Sequence, residues 1–207
     1  MKKLIVAGLV LAVAVVAASE VDAHRRPFSG GGQSLAGIVA ASGGEGQFDD
    51  NPFDYDLLLN AVIAADLVGA LSDENATFTL FAPNDLAFLR TARDLGFTGS
   101  SEAEALEFLL EALAGLDENG DAIAVLTTIL LYHVVPAEAD VFDFILASIF
   151  RIPLPTLQGG EIRPNFFTIG DNDPDISDPG LFFPLNVRAN NGILHTISRV
   201  LIPIDIP

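Results

Sequence analysis

Apolar residues recur at helical spacing through the first two thirds of the chain and at alternating spacing near its end. Leu35, Ile38 and Val39 predict a first helix, and after the polar turn Gly43 to Asn51 a second is predicted across Asp54 to Asp66. Leu57, Leu58, Leu59, Val62 and Ile63 point almost all round that second helix, which implies burial rather than a surface stripe. Phe78 to Phe81 is a short β-prone run closed by Ala82-Pro83, after which Asn84 can cap a helix carrying Leu86, Phe88 and Leu89 and ending at Gly96. Ser101 followed three residues later by Glu104 has the spacing of a capping box, and Leu106, Leu109, Leu110 and Leu113 form one stripe before Gly115. A further helix runs through Ile123, Leu126 and Leu130 into Tyr132-His133-Val134-Val135-Pro136.

Val141 to Ile152 also reads as a helix. Its main stripe, Phe142, Ile145, Leu146, Ile149 and Phe150, is expected to face the core and to leave Phe144 on the opposite side near Asp140, Ala147 and Arg151. An aromatic side chain on a polar face is a candidate anchor for a partner or for self-association, so Phe144 is the predicted partner-binding residue.

From about Thr156 the texture changes to short β-prone runs separated by Gly159-Gly160, Asn165 and the Asp/Pro-rich stretch Asp171 to Gly180. The last run, Ile193 to Ile202, alternates as a strand. Helices early and strands late predict an α+β domain in which a sheet or sandwich is flanked by N-terminal helices.

Before the first helix the pattern is of another kind. Lys2 and Lys3 precede an unbroken apolar run from Leu4 to Ala18, with small residues behind it, as in an export signal cleaved after Ala23. Fifteen apolar residues fall short of the roughly 20 that span a bilayer. The predicted organisation is a signal peptide at 1–23, a flexible leader at 24–33, a folded domain at 34–204 and a tail at 205–207, with no membrane span in the mature form.

Composition narrows the function classes. The 207 residues carry 10 Lys+Arg against 28 Asp+Glu, a net charge of −18, and no cysteine. Zero Cys excludes disulfides, a thiol nucleophile, Cys-ligated metal and a lipid-modified lipoprotein cysteine. The acidic excess argues against nucleic acid or an anionic membrane as the main partner, because both are polyanions. Removal of 1–23 takes both lysines and two acids and leaves arginine as the only cation besides histidine and the chain terminus.

Three segments in order resemble the fasciclin (FAS1) domain: Thr77 to Phe88 (TFTLFAPNDLAF), Leu131 to Pro136 (LYHVVP) and Asn191 to Pro203 (NGILHTISRVLIP). The resemblance implies a wedge of two β-sheets with helices packed on it, drawn here mainly from the N-terminal half. It also implies an exported or surface-displayed adhesion module without catalytic activity. It makes Tyr132 and His133 a structural motif, with His133 a buried neutral imidazole bonded to neighbouring groups. The chain departs from the family pattern in a long helix-rich connection, Gly96 to Gly120, and in the apolar character of Val141 to Ile152.

The remaining chemistry is sparse. His133 and His195 are the only histidines in the predicted domain, and there is no G-x-S-x-G, no Gly-rich phosphate loop and no H-E-x-x-H. Asp49, Asp50, Asp54 and Asp56 raise glycoside hydrolysis, but a chain without Trp and with two Tyr offers few sugar platforms. Asp171, Asp173, Asp175 and Asp178 alternate as calcium-wrapping carboxylates do, although Ile176 and Phe182 stand where an EF-hand has Gly and Glu; the alternative is a solvated turn. The reading is therefore a secreted or periplasmic, non-enzymatic interaction module with no cofactor and no assigned metal, binding a protein, cell-surface or matrix partner. A calcium-dependent extracellular structural protein and a glycan hydrolase are the alternatives.

Overall fold

The computed structural model describes residues 32–43, 48–49 and 51–204. The predicted signal peptide, nearly all of the leader and the tail lie outside the described residues.

The helices begin where the sequence offers a side-chain acceptor. Ser34 Oγ accepts the Gly37 N–H to open α1 (Leu35–Ser42), and Asn84 Oδ1 accepts the Ala87 N–H to open α4 (Asp85–Asp94). Ser101 Oγ takes the Glu104 N–H at the start of α5 (Glu102–Ala114), and Asp121 Oδ1 the Ala124 N–H at the start of α6 (Ala122–Tyr132). Each such cap is worth about 1 kcal/mol. Between α1 and α4 lie α2 (Asp56–Ala64), which has no cap from its own N-cap residue Tyr55, and the single turn α3 (Val68–Leu71), which hydrophobic spacing did not predict.

Four strands, β1 (Phe78–Pro83), β2 (Val134–Val135), β6 (Leu181–Ala189) and β7 (Gly192–Ile197), form a sheet in the order β2-β1-β7-β6. β1 and β7 are parallel, with Leu80 opposite Leu194 and Phe81 opposite His195, and the other pairs are antiparallel. The approach of these central strands dictates Gly192: its φ is +145°, and a Cβ there would run into the Phe78 carbonyl. A second sheet has the order β3 (Leu154–Pro155), β4 (Glu161–Asn165), β5 (Thr168–Gly170), with α7 (Val141–Phe150) packed on β4.

β7 is buried along its whole length because it lies between two cores. Leu194 joins Leu35, Leu58, Phe88 and Leu130 in a large core among the helices, whereas Ile197 joins Phe81, Tyr132, Phe144, Ile162 and Leu201 in a smaller one beneath the second sheet. The strand stops at Ile197 rather than continuing to Ile202, because beyond Ser198, whose N–H still bonds the Gly180 carbonyl, the backbone donors of residues 200–202 are taken by side chains. Val200 N–H goes to Thr91 Oγ1 (3.1 Å), Leu201 N–H to His133 Nε2 (2.9 Å) and Ile202 N–H to Asp171 Oδ2 (2.9 Å). The helix-then-strand α+β wedge is thus present, and among the described residues no helix is long and apolar enough to cross a membrane.

Candidate functional site

Helix α7 is inverted relative to the sequence expectation. Phe144, predicted as a surface anchor, is 1% exposed, with its ring 5.8 Å from that of Phe81 in the smaller core. Phe142 and Phe150, from the stripe predicted to face inward, are 65% and 69% exposed, and Ile149 is exposed beside them. The cause lies in what the inward face meets. One aromatic fills the space against Phe81, the small Ala147 lets the helix come close to β4, and Ser148 Oγ accepts the Phe166 N–H from the β4–β5 turn (2.6 Å). The orientation is fixed at the start by a capping box between Asp140 and Asp143 and by Asn186 Oδ1, which accepts the Val141 N–H (2.9 Å).

That same turn presents two more aromatic residues. Phe166 and Phe167 are exposed, and Phe166 has φ +51°, a left-handed conformation that Gly or Asn would adopt at lower cost than a bulky aromatic. The outward side of α7 and the β4–β5 turn bonded to it therefore carry Phe142, Ile149, Phe150, Phe166 and Phe167 in water.

The Tyr132-His133 pair lies at the end of α6, under this helix. Tyr132 is fully buried, donates its hydroxyl to the Glu161 carbonyl (2.8 Å), and is pushed up to about 12 mainly by burial. His133 Nδ1–H faces the Ile129 carbonyl (2.8 Å) while Nε2 accepts from Leu201 N–H, so the ring is neutral, and burial holds its pKa down at about 4. His195 uses Nε2–H on the Ala139 carbonyl (2.9 Å), accepts Asn186 N–H at Nδ1 (3.3 Å) and stacks on Phe81; burial lowers its pKa as well. Both imidazoles spend both nitrogens on backbone, which leaves neither free to serve as a general base.

In the Asp171 to Asp178 loop the leading carboxylates bind backbone. Asp171 accepts Asp173 N–H and Ile202 N–H, and Asp173 Oδ1 accepts Asp175 N–H and Ile176 N–H, so these acids fold the loop onto the C-terminal segment. Asp171 is raised to about 6, chiefly by burial.

A different set of acids converges. Oxygens of Asp49, Asp54 and Asp56, and again of Asp56, Asp85 and Glu102, lie within 4.8 Å of one another. Asp85 caps α2 from outside that helix: Oδ2 accepts Asp56 N–H (3.2 Å) and Oδ1 accepts Leu57 N–H (2.9 Å). Burial, reinforced by a hydrogen bond with Asp54, raises Asp85 to about 9; burial raises Glu102 to about 7, and burial with the neighbouring Asp54 and Asp49 raises Asp56. Sequence reasoning named Asp49, Asp54 and Asp56 but missed Asp85 and Glu102. The signal available for these two was an acid immediately after a capping residue, which ordinarily marks only a helix start.

The layered helices, the four-stranded sheet with its parallel β1–β7 centre and the second three-stranded sheet define an α+β wedge whose buried Tyr132-His133 motif joins the two sheets. The fasciclin domain model matches residues 54–203, and the chain belongs to the fasciclin domain family. Its structure is similar to that of a FAS1 domain pair from the insect cell adhesion molecule fasciclin I, with a TM-score of 0.55 and 16% identity over 82% of this chain and 51% of that one. The chain therefore spans about half the length of that pair, and at this identity the likeness establishes fold. No curated protein sequence matches. Fasciclin domains are generally adhesion-related, non-enzymatic modules and are typically extracellular.

Proposed function

We propose that this chain is an exported, non-enzymatic interaction module, secreted or periplasmic, that binds a protein, cell-surface or matrix partner other than nucleic acid through the outward side of α7. The observation that carries this reading is the exposed row Phe142, Ile149 and Phe150 on a helix whose opposite side already packs into the smaller core. Large apolar side chains collected on one helix face, beside two more at a bonded turn, mark interaction surfaces more than solvated ones. Each Phe fully buried at a contact contributes about 1.5–3 kcal/mol by area, a gain from which the cost of association is subtracted, so the aromatic row acts as the anchor of a larger contact. The occupied histidine nitrogens support the absence of catalysis.

The test is retention of the exported protein on its native cell surface or matrix. A Phe142→Ser/Phe150→Ser double variant should keep its melting temperature and lose retention. Unchanged retention would refute the role of α7, and dissociation of a wild-type oligomer would identify the partner as a second copy.

A further inference from the structure

Three helices begin at one point. Asp56 is the first residue of α2, Asp85 of α4 and Glu102 of α5, and their carboxylates meet there with Asp54 alongside and Asp49 at the rim. All but Asp49 are buried. A helix N-terminus carries about half a positive charge, so three together offset fewer than two of the carboxylates.

The hydrogen bonds account for part of the cluster. Asp85 has both oxygens on the α2 N-terminus, Asp54 Oδ2 accepts the Asn51 side-chain amide (3.0 Å), and Glu102 accepts the Asp49 backbone N–H. Asp54 also shares a hydrogen bond with Asp85, and three oxygens are left: Asp56 Oδ1 and Oδ2 and Glu102 Oε2 are buried without a hydrogen-bond partner. Asp56 is 0% exposed, neither of its oxygens meets a hydrogen-bond donor, and its carboxylate lies among those of the other acids with Oδ1 close against Gly43. A buried, unpaired carboxylate is among the most costly arrangements a fold can hold. Among the described residues the arginine ion pairs are elsewhere, at Glu161, Glu138 and Asp94.

The missing component is a compact positive charge that takes several oxygen ligands at once. Hard divalent cations have that chemistry, and calcium in particular accepts six to eight oxygens in flexible geometry. We propose that Asp54, Asp56, Asp85 and Glu102, with Asp49 at the opening, form a divalent cation site that locks together the N-termini of α2, α4 and α5. This site is distinct from the Asp171 to Asp178 loop, whose Asp171 and Asp173 hold backbone donors.

The experiment is calorimetric titration of the chelator-treated mature protein with calcium chloride at neutral pH, with thermal melts in calcium and in EDTA. Wild type should bind calcium and melt about 5–10 °C higher at a calcium concentration near 100 times its Kd. Asp56→Asn should lose both the heat and the shift, and should melt higher than wild type in EDTA, because it removes an unpaired buried charge. Glu102→Gln repeats the test should Asp56→Asn not fold. Asp173→Asn/Asp175→Asn should respond to calcium as wild type does. Equal melts of wild type in calcium and EDTA would overturn the proposal and leave shared protons as what holds the acids together. A calcium response kept in Asp56→Asn and lost in the loop variant would overturn it too.

Discussion

The two sides of α7 answer to different constraints. On the inner side Phe144 meets Phe81, and the same small core holds Tyr132, with His133 and His195 against it, every ring nitrogen and the tyrosine hydroxyl bonded to backbone. On the outer side Phe142, Ile149 and Phe150 are exposed, though they are no less apolar than what lies beneath. Hydrophobicity therefore does not decide which face is buried. Shape does: the space under α7 takes one aromatic and an alanine, because interiors are packed close and a larger stripe would not fit without voids or strain.

Substitutions on the two sides should separate by size of effect. Phe144→Ala should cost about 3–5 kcal/mol in chemical denaturation, the usual range for emptying a buried aromatic site; a midpoint equal to wild type would return Phe144 to the surface. His133→Gln should cost about 1–3 kcal/mol at pH 7 by leaving buried backbone groups unsatisfied.

That second gap should also depend on pH. A histidine whose folded pKa is about 4 against 6.5 contributes fully above pH 6.5 and loses its contribution as pH falls from 6.5 toward 4, since charging the buried ring favours the unfolded chain. The difference between wild type and His133→Gln should narrow over that window. Measuring it as a difference matters, because Asp171, Asp85 and Glu102, with raised folded pKa values, gain stability on acidification. A gap independent of pH would contradict the buried neutral imidazole. The smallest effect belongs to the outer side: Phe150→Ser should change stability by no more than about 0.5 kcal/mol.

What the sequence disclosed follows the reach of each interaction. Helix starts were legible where Asn84 and Ser101 act on residues three positions away, and the wedge was legible through its three motif segments. The facing of α7 was not, because a helical wheel ranks its own residues and contains nothing about the core that receives them. The end of β7 was hidden for a related reason: Thr91, His133 and Asp171, which claim the donors after Ser198, come from three distant elements. The acid cluster was half visible. Asp49, Asp54 and Asp56 are neighbours in the chain, but Asp85 is 29 residues from Asp56 and arrives only when α4 docks on α2. Glu102 joins them from a third helix.

The claim that the outer side of α7 is the contact surface is tested most directly by site-specific photocrosslinking in the native host. A photoreactive phenylalanine analogue would replace Phe150 in one protein and, in another, Phe53, an exposed phenylalanine that stacks on Phe182 of β6. The account predicts a discrete adduct from the Phe150 position and none from the Phe53 position, with the adduct's mass identifying a partner or a second copy of this chain. No adduct from Phe150, or the same adduct from both positions, would contradict it.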